Sequence, residues 1–225
     1  MPLIFVLLYL ANLAISWFNA YSVGRSWADS KAVGGWVRFM TWCGAVMSAC
    51  GFTWCYLIVL AMIAGAAGWL PPQYVKEMLE LGYIVIIGPI LGSGIAICLD
   101  SITTAYRERS VNSIGIATWN TFAQVHNTYE AARTLPGVFG DLKENLDFGE
   151  DGGDSESKLV LLVLVLVLGA LSAGPLTTAI VIRSTARKYA QKLALVPMPR
   201  LYEAASVAAA SSGRSATEGG DEHPV

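Results

Sequence analysis

Charged residues are absent from four long, apolar stretches of the chain. These stretches cover residues 1–24, 39–75, 81–99 and 159–182. A helix needs about 20 apolar residues to cross roughly 30 Å of hydrocarbon, and it satisfies its own backbone polar groups while doing so. Each stretch reaches that length, the third only just. The pattern therefore predicts four transmembrane helices.

The boundaries of these helices are marked by aromatic residues and by prolines. Tryptophans bracket the second stretch before Pro71 and Pro72, as expected of side chains at the two membrane interfaces: Trp36, Trp42 and Trp69. The first stretch begins at the initiator Met without a basic leader, so we expect it to be a retained helix and not a cleaved signal.

Glycine and proline fall inside the third and fourth stretches. The third is interrupted at Gly88-Pro89, and the fourth changes from alternating Leu and Val to small residues between Gly169 and Pro175. Proline removes one helical hydrogen bond and crowds the preceding turn. We therefore expect both helices to be broken at these points.

The connections between the stretches differ in length. Residues 22–38 predict a short polar loop, and the ten residues 71–80 require an antiparallel hairpin. The connection 100–158 is long and contains a helical pattern over about 111–132, followed by an acidic linker at 141–156. A basic helical extension should follow the fourth membrane helix within 159–196, and 197–225 has the composition of a disordered tail.

The helix in the long connection is amphipathic. Its apolar side chains form a candidate docking face: Val111, Ile114, Trp119, Phe122, Val125 and Tyr129. Its polar side chains fall on the opposite side: Asn112, Asn120, Gln124 and Asn127. Such a helix either lies on the membrane or covers the helix bundle. Residues 110–129 have no Lys or Arg to meet anionic lipid, which favours packing on the bundle or on a partner.

The predicted fold is therefore all-α. It is a polytopic membrane protein with four transmembrane helices, one amphipathic helix in the long third loop and a disordered C-terminal tail. Residues 1–99 hold the first three membrane helices, 100–158 form the extramembrane loop, and 159–196 hold the fourth membrane helix.

Composition and motifs restrict the chemistry of the protein. The net charge is −2, which argues against nucleic acid as a partner. The chain has two histidines and four cysteines without a CxxC pair, so no metal site or other cofactor is predicted. Hydrolase, zinc-protease and nucleotide-binding motifs are absent from the sequence. We therefore expect a protein that is not an enzyme, and we assign no catalytic residue.

Basic residues leave the orientation open. With a cytoplasmic amino terminus and four crossings, seven Lys and Arg residues lie inside and eight lie outside. The three cations after the first helix favour an external amino terminus, whereas the cluster after the fourth favours a cytoplasmic carboxyl terminus. Four crossings cannot satisfy both preferences. Of the two, the cytoplasmic carboxyl terminus is the better supported.

Polar groups within the predicted membrane helices are candidates for function, because burying them in lipid is costly. Asn12 lies in the middle of the first helix, Ser93 lies in the third and Asp100 closes the third. These residues are candidates for a polar pathway. For Asn12 the alternative is a hydrogen bond between helices, and for Asp100 it is a carboxylate in the headgroup region.

Small residues spaced four apart allow helices to approach closely in a membrane. The candidate packing pairs are Gly44 with Ser48, Gly88 with Gly92, Gly169 with Ala173, and Ala170 with Gly174. Packing within one bundle needs only some of these pairs. Contacts with other copies or with other membrane subunits are therefore expected, in addition to the lipid bilayer itself.

Two classes of function follow from this pattern. The first is a non-enzymatic subunit or scaffold of an oligomeric membrane complex. The alternative is a homo-oligomeric channel, pore or carrier for a neutral or weakly polar solute. An enzyme built from Asp100, Arg107, Glu108, Arg109 and His126 at one interface is a weaker third alternative. The absence of N-glycosylation sequons, together with the missing leader, favours the bacterial inner membrane.

Overall fold

The structure is a computed structural model that describes residues 3–145 and 154–195, with side chains described for 5–27, 34–140 and 158–191. Both described segments are helical. The five helices are α1 Leu3–Val33, α2 Gly35–Ala66, α3 Pro72–Glu108, α4 Val111–Asn145 and α5 Asp154–Leu195. They pack into a compact unit that extends to Arg187, and Lys188–Leu195 at the end of α5 belongs to a second unit.

Four of the helices are long and apolar enough to cross a membrane. Their spanning regions are Phe5–Trp27 in α1, Gly35–Ala66 in α2, Pro72–Glu108 in α3 and Lys158–Gln191 in α5. The predicted all-α, membrane-embedded fold with four such helices is confirmed, and α4 is the predicted helix of the long connection.

The turns between helices are set by local chemistry. Gly34 alone separates α1 from α2, with a φ of 114° that a residue with a side chain rarely adopts. Pro72 occupies the first turn of α3, where its missing N–H is not needed. Arg109 ends α3 in the left-handed conformation, and the Ser110 hydroxyl caps α4 by accepting a 3.1 Å hydrogen bond from the Ser113 N–H.

Several predicted boundaries were wrong. Residues 22–38 are not a loop, because α1 continues to Val33 and α2 begins at Gly35. Helices α3 and α5 are also continuous through Pro89 and Pro175, where breaks were expected, and α4 continues through Pro136, beyond its predicted end near residue 132. In hydrocarbon each unsatisfied backbone group costs several kcal/mol. Losing the single bond at a proline is therefore cheaper than unwinding a turn.

The acidic linker was also predicted too long. Residues 141–145 continue α4 and 154–156 begin α5, while 146–153 lie outside the described residues. The predicted tail, 197–225, lies outside them as well.

Helix α2 is the centre of the packing. It contacts α1 and α3 along their lengths, and α4 packs on α3. An apolar core joins α2 to the start of α3 and the first half of α5; its members include Leu57, Ala61, Ala64, Met78, Val163, Val167 and Ala170. The second half of α5 contacts α2 through smaller and more polar side chains.

Candidate functional site: the helix interfaces

A seam of buried hydroxyl groups joins α1, α2 and α5. Ser48 is fully buried, and its hydroxyl donates a 2.8 Å hydrogen bond to the carbonyl oxygen of Ser16. The Thr178 hydroxyl lies 3.3 Å from the Ser48 hydroxyl, which, having donated to Ser16, can still accept a bond. Nearby, the hydroxyls of Tyr56 and Thr177 are 2.8 Å apart. The seam links three membrane helices without a charged group.

Asn12 extends this seam along α1. Its side-chain amide donates to the carbonyl oxygen of Gly51 at 3.4 Å and to the sulfur of Cys55 at 3.2 Å. The Ser16 hydroxyl donates to the Asn12 carbonyl at 2.7 Å, so the two residues belong to one network. In this structure Asn12 therefore forms interhelical hydrogen bonds, which was the alternative to a place in a polar pathway.

Glycines make this close approach possible. A Cβ atom at Gly174 would lie 2.7 Å from both the Ala49 carbonyl oxygen and the Thr53 N–H nitrogen, and it would collide with the Thr53 hydroxyl. A Cβ atom at Gly51 would collide with the Ser16 hydroxyl, and one at Gly44 would lie 2.8 Å from a methyl group of Val23. Such distances are too short for a real Cβ contact. Gly174 requires glycine because the clashes are with backbone atoms, whereas a Cβ atom at Gly51 or Gly44 would force the Ser16 or Val23 side chain to move.

Helix α3 contacts α2 through two further polar contacts. The indole N–H of Trp36 donates a 2.6 Å hydrogen bond to the Asp100 carboxylate, which joins the start of α2 to the end of the apolar stretch of α3. Ser93 lies within hydrogen-bonding reach of Cys43. Closer to the start of α3, Gly82 leaves space for the Leu57 side chain of α2.

Helix α4 runs antiparallel to α3 and packs on it through small and polar residues. Gln124 is only 8% exposed, and its amide donates to the carbonyl oxygen of Leu91 at 3.3 Å. Gly94 provides the space for this side chain, because a Cβ atom there would collide with the Gln124 amide. The Cys98 sulfur and the Thr121 hydroxyl, 3.4 Å apart, make the next contact along the pair.

The apolar face of α4 points away from the chain. All six residues of the predicted docking face are exposed, from 51% at Ile114 to 91% at Val111. The side that packs on α3 is instead formed by Ser113, Ala117, Gln124 and Ala131. The helix therefore packs on the bundle as predicted, but it does so with the side that was expected to face away.

The predicted packing residues separate into two groups. Gly44, Ser48, Ala170 and Gly174 lie in interfaces within the chain, and Ala173 is half-buried. Gly88, Gly92 and Gly169 are exposed, and no atom from another part of the described chain lies within 4 Å of where their Cβ atoms would be.

The three candidate pathway residues are not brought together. Asn12 bonds to α2 near Gly51 and Cys55, Ser93 lies beside Cys43, and Asp100 bonds to Trp36. They occupy three different levels of α2 and bond to three different sets of partners. Within the described residues they line no common path.

Sequence reasoning missed Ser16, Gly51, Gly94, Gln124 and Thr178 as interface residues. The spacing of Asn12 and Ser16, four apart on an otherwise apolar helix, is a signal that could have identified one face of α1. Gln124 could not be found in this way, since its position suggested the solvent side of α4.

Chemistry other than packing has little support among the described side chains. They contain no group of three or more His, Cys, Asp or Glu residues that could hold a metal ion. Cys43, Cys50 and Cys55 are buried as free thiols, and Cys98 is half-buried. Comparison of the chain with protein families, with curated proteins and with solved structures gives no match.

Proposed function

We propose that this protein is a non-enzymatic, multi-pass subunit or scaffold of an oligomeric membrane complex. We further propose that the outward face of α3 around Gly88 and Gly92 is where a helix of another subunit packs. The observation that carries this proposal is the contrast between these two glycines and the glycines used inside the chain.

Glycine in the interior of a helix is destabilising by roughly 0.5–1 kcal/mol relative to alanine. Among the described residues, six helical glycines offset this through a neighbour that approaches more closely than any Cβ atom would permit: Gly24, Gly44, Gly51, Gly82, Gly94 and Gly174. Gly88 and Gly92 have the same cost but face open space. A helix of a second chain against this face would supply the contact that the single chain does not.

The sequence around these glycines is suited to such a contact. Gly88 and Gly92 are four apart and form a GxxxG pair on one side of α3, flanked by the exposed side chains of Val85 and Ile95. Pro89 within the pair has no N–H, so the carbonyl oxygen of Val85 lacks its helical donor. A hydroxyl or amide group on an approaching helix could satisfy that oxygen.

The polar side chains support a structural role and not a catalytic one. Ser48, Thr178, Asn12 and Gln124 all bond to groups on neighbouring helices. Their hydrogen-bonding capacity is used in holding helices together. A subunit whose work is to bind other subunits within the bilayer needs no further chemistry.

The proposed location is the bacterial cytoplasmic membrane, where the chain would associate with copies of itself or with other membrane subunits. The absence of N-glycosylation sequons from the sequence supports this membrane. No feature of the chain calls for a nucleic acid or for a cofactor.

The test is the mass and composition of the particle purified from native membranes in a mild detergent. We expect an assembly larger than one chain, and Gly92→Ile should reduce its yield by tenfold or more. The matched control is Ala14→Ile, which adds a similar side chain at an exposed position of α1. A monomeric particle, or equal assembly of Gly92→Ile and the parent, would contradict the proposal.

A further inference from the structure

The amphipathicity of α4 is reversed relative to that of a helix at the surface of a water-soluble domain. Its aromatic and branched side chains point outward, with Phe122, Val125 and Tyr129 all more than 60% exposed. The amide side chain of Gln124 is turned inward against α3, while Asn120 and Asn127 are half-buried and Asn112 is exposed. Exposing apolar groups to water while burying an amide is unfavourable on both counts. The same arrangement is favourable if hydrocarbon surrounds the helix.

The length and charge of α4 fit a membrane crossing. No Asp, Glu, Lys or Arg occurs from Ser110 to Tyr129, which is a fifth charge-free run of the chain. At a rise of 1.5 Å per residue these residues cover about 30 Å, the thickness of the hydrocarbon layer. The asparagines within the run lower its mean hydropathy. Length and composition alone therefore do not identify the run as a membrane span, and its contacts with α3 are needed as well.

The position of α4 beside α3 places this run at membrane depth. The contacts of Gln124 with Leu91 and of Thr121 with Cys98 lie in the charge-free stretch of α3. Glu130, the first charge after the α4 run, lies near Tyr83 and so near the level at which charges return on α3 at Glu80. If α3 crosses the bilayer, these contacts place α4 in the bilayer too.

The apolar surface is also continuous from α3 onto α4. An apolar groove between the two helices is lined by Ile102 and Ala105 of α3 and by Ile114, Phe122 and Val125 of α4. The apolar surface of α3 therefore continues onto the outward side of α4, and the polar residues that line the groove are Thr118 and Thr121.

We propose that α4 crosses the bilayer as a fifth transmembrane helix, and that its outward apolar face contacts lipid acyl chains. The residues of this face are Val111, Ile114, Trp119, Phe122, Val125 and Tyr129. The short connection at Arg109-Ser110 and the acidic segment that follows α4 then lie on opposite sides of the membrane.

Five crossings remove the conflict in the distribution of basic residues. Residues 22–38, residues 100–110 and residues 183–225 fall on one side, with eleven of the 15 Lys and Arg residues of the chain. The connection 71–80 and the segment 130–158 fall on the other side with four: Lys76, Arg133, Lys143 and Lys158. Four crossings divide the same 15 as seven and eight. The positive-inside preference then places the carboxyl-terminal segment in the cytoplasm.

The first experiment measures sidedness in the full-length chain. A single cysteine is introduced by Glu108→Cys, at the exposed end of α3, or by Gly152→Cys, in the acidic segment after α4. Right-side-out membrane vesicles are treated with a membrane-impermeant maleimide before and after permeabilisation. The parent chain, with its four native thiols, gives the background.

We expect Gly152→Cys to react in sealed vesicles at least tenfold faster than Glu108→Cys, with equal reaction after permeabilisation. Equal reaction of both variants in sealed vesicles, or protection of both until permeabilisation, would place the two sites on one side and overturn the proposal. This result is independent of subunit association, because a chain that forms no complex still has a sidedness.

The second experiment identifies what covers α4. The full chain is reconstituted in phosphatidylcholine vesicles that contain an acyl-chain diazirine, irradiated and digested for mass spectrometry. We expect adducts on Phe122 and Val125 at a yield comparable to that on the exposed residues of α1, such as Leu8 and Phe18. An α4 without acyl-chain adducts, or with these residues cross-linked to a second protein chain, would exclude lipid as the occupant.

Discussion

The Ser48 hydroxyl donates a 2.8 Å hydrogen bond to the carbonyl oxygen of Ser16 at a point where neither side chain is exposed to more than 2%. The bond joins α1 to α2, and the adjacent Thr178 brings α5 into the same network. Hydrogen bonds of this kind between membrane helices contribute about 0.6 kcal/mol on average. Their main consequence here is to fix which faces of the three helices meet.

Removing the Ser48 hydroxyl should weaken this junction. We expect Ser48→Ala to lower the free energy of unfolding by about 1 kcal/mol, since the Thr178 hydroxyl also loses a partner. The measurement is reversible unfolding in mixed micelles, followed by circular dichroism. Ser172→Ala is the control, because the exposed Ser172 hydroxyl bonds only within α5, to the Leu168 carbonyl oxygen at 2.8 Å. Equal losses for the two variants would show that the interhelical bond contributes nothing.

Alanine should have opposite effects at two glycines of α5. At Gly174 the added methyl group would meet the backbone of α2 at Ala49 and Thr53, so Gly174→Ala should destabilise by about 2 kcal/mol. Gly169 faces open space, so Gly169→Ala should stabilise the helix by up to about 1 kcal/mol. The same unfolding assay measures both variants. A destabilised Gly169→Ala chain in monomeric form would contradict the structure.

The sequence predicted that close helix–helix interfaces exist. It did not predict which helices meet at them. Charge-free length identifies membrane helices because burying charge in lipid is so unfavourable that few exceptions occur. Small-residue spacing predicted that Gly44 and Gly174 would pack closely, but the same spacing at Gly88 and Gly92 gave no means of distinguishing internal from external contacts. That distinction depends on how helices are rotated against one another, which local sequence does not encode.

The breaks that were expected at Pro89 and Pro175 are absent for a related reason. In water, proline is a strong signal for a break in a helix, because the freed backbone groups bond to solvent once the helix opens. A membrane offers no such partner, and the helices continue through both positions. Gln124 was assigned to the outer side of α4 because the apolar face was expected to be buried. In a bilayer, the polar side of a helix is the side that packs against the rest of the protein.

Gly94 and Gln124 should be energetically coupled. Gly94→Ala adds a methyl group where the Gln124 amide now lies, and Gln124→Ala removes that amide. We expect each single variant to destabilise the α3–α4 pair by about 1–2 kcal/mol, and we expect Gly94→Ala to become neutral or stabilising in the Gln124→Ala background. A double-mutant cycle in the unfolding assay measures this coupling. Additive effects would mean that the two side chains do not share the space between the helices.

The four cysteines should differ sharply in reactivity. Cys43, Cys50 and Cys55 are buried between helices, whereas Cys98 on α3 is half-buried beside Thr121 of α4. In detergent micelles we expect N-ethylmaleimide, which is small and uncharged, to modify one thiol per native chain and four thiols after denaturation. Mass spectrometry of the intact chain gives the count, and peptide mapping should place the native adduct on Cys98. Cys98→Ser should then give no adduct in the native chain and three adducts after denaturation. The serine hydroxyl can still form a hydrogen bond with Thr121. Rapid modification of Cys50 or Cys55 in the native chain would mean that the packing of α1 and α5 against α2 is open, because those thiols can react only when the helices separate.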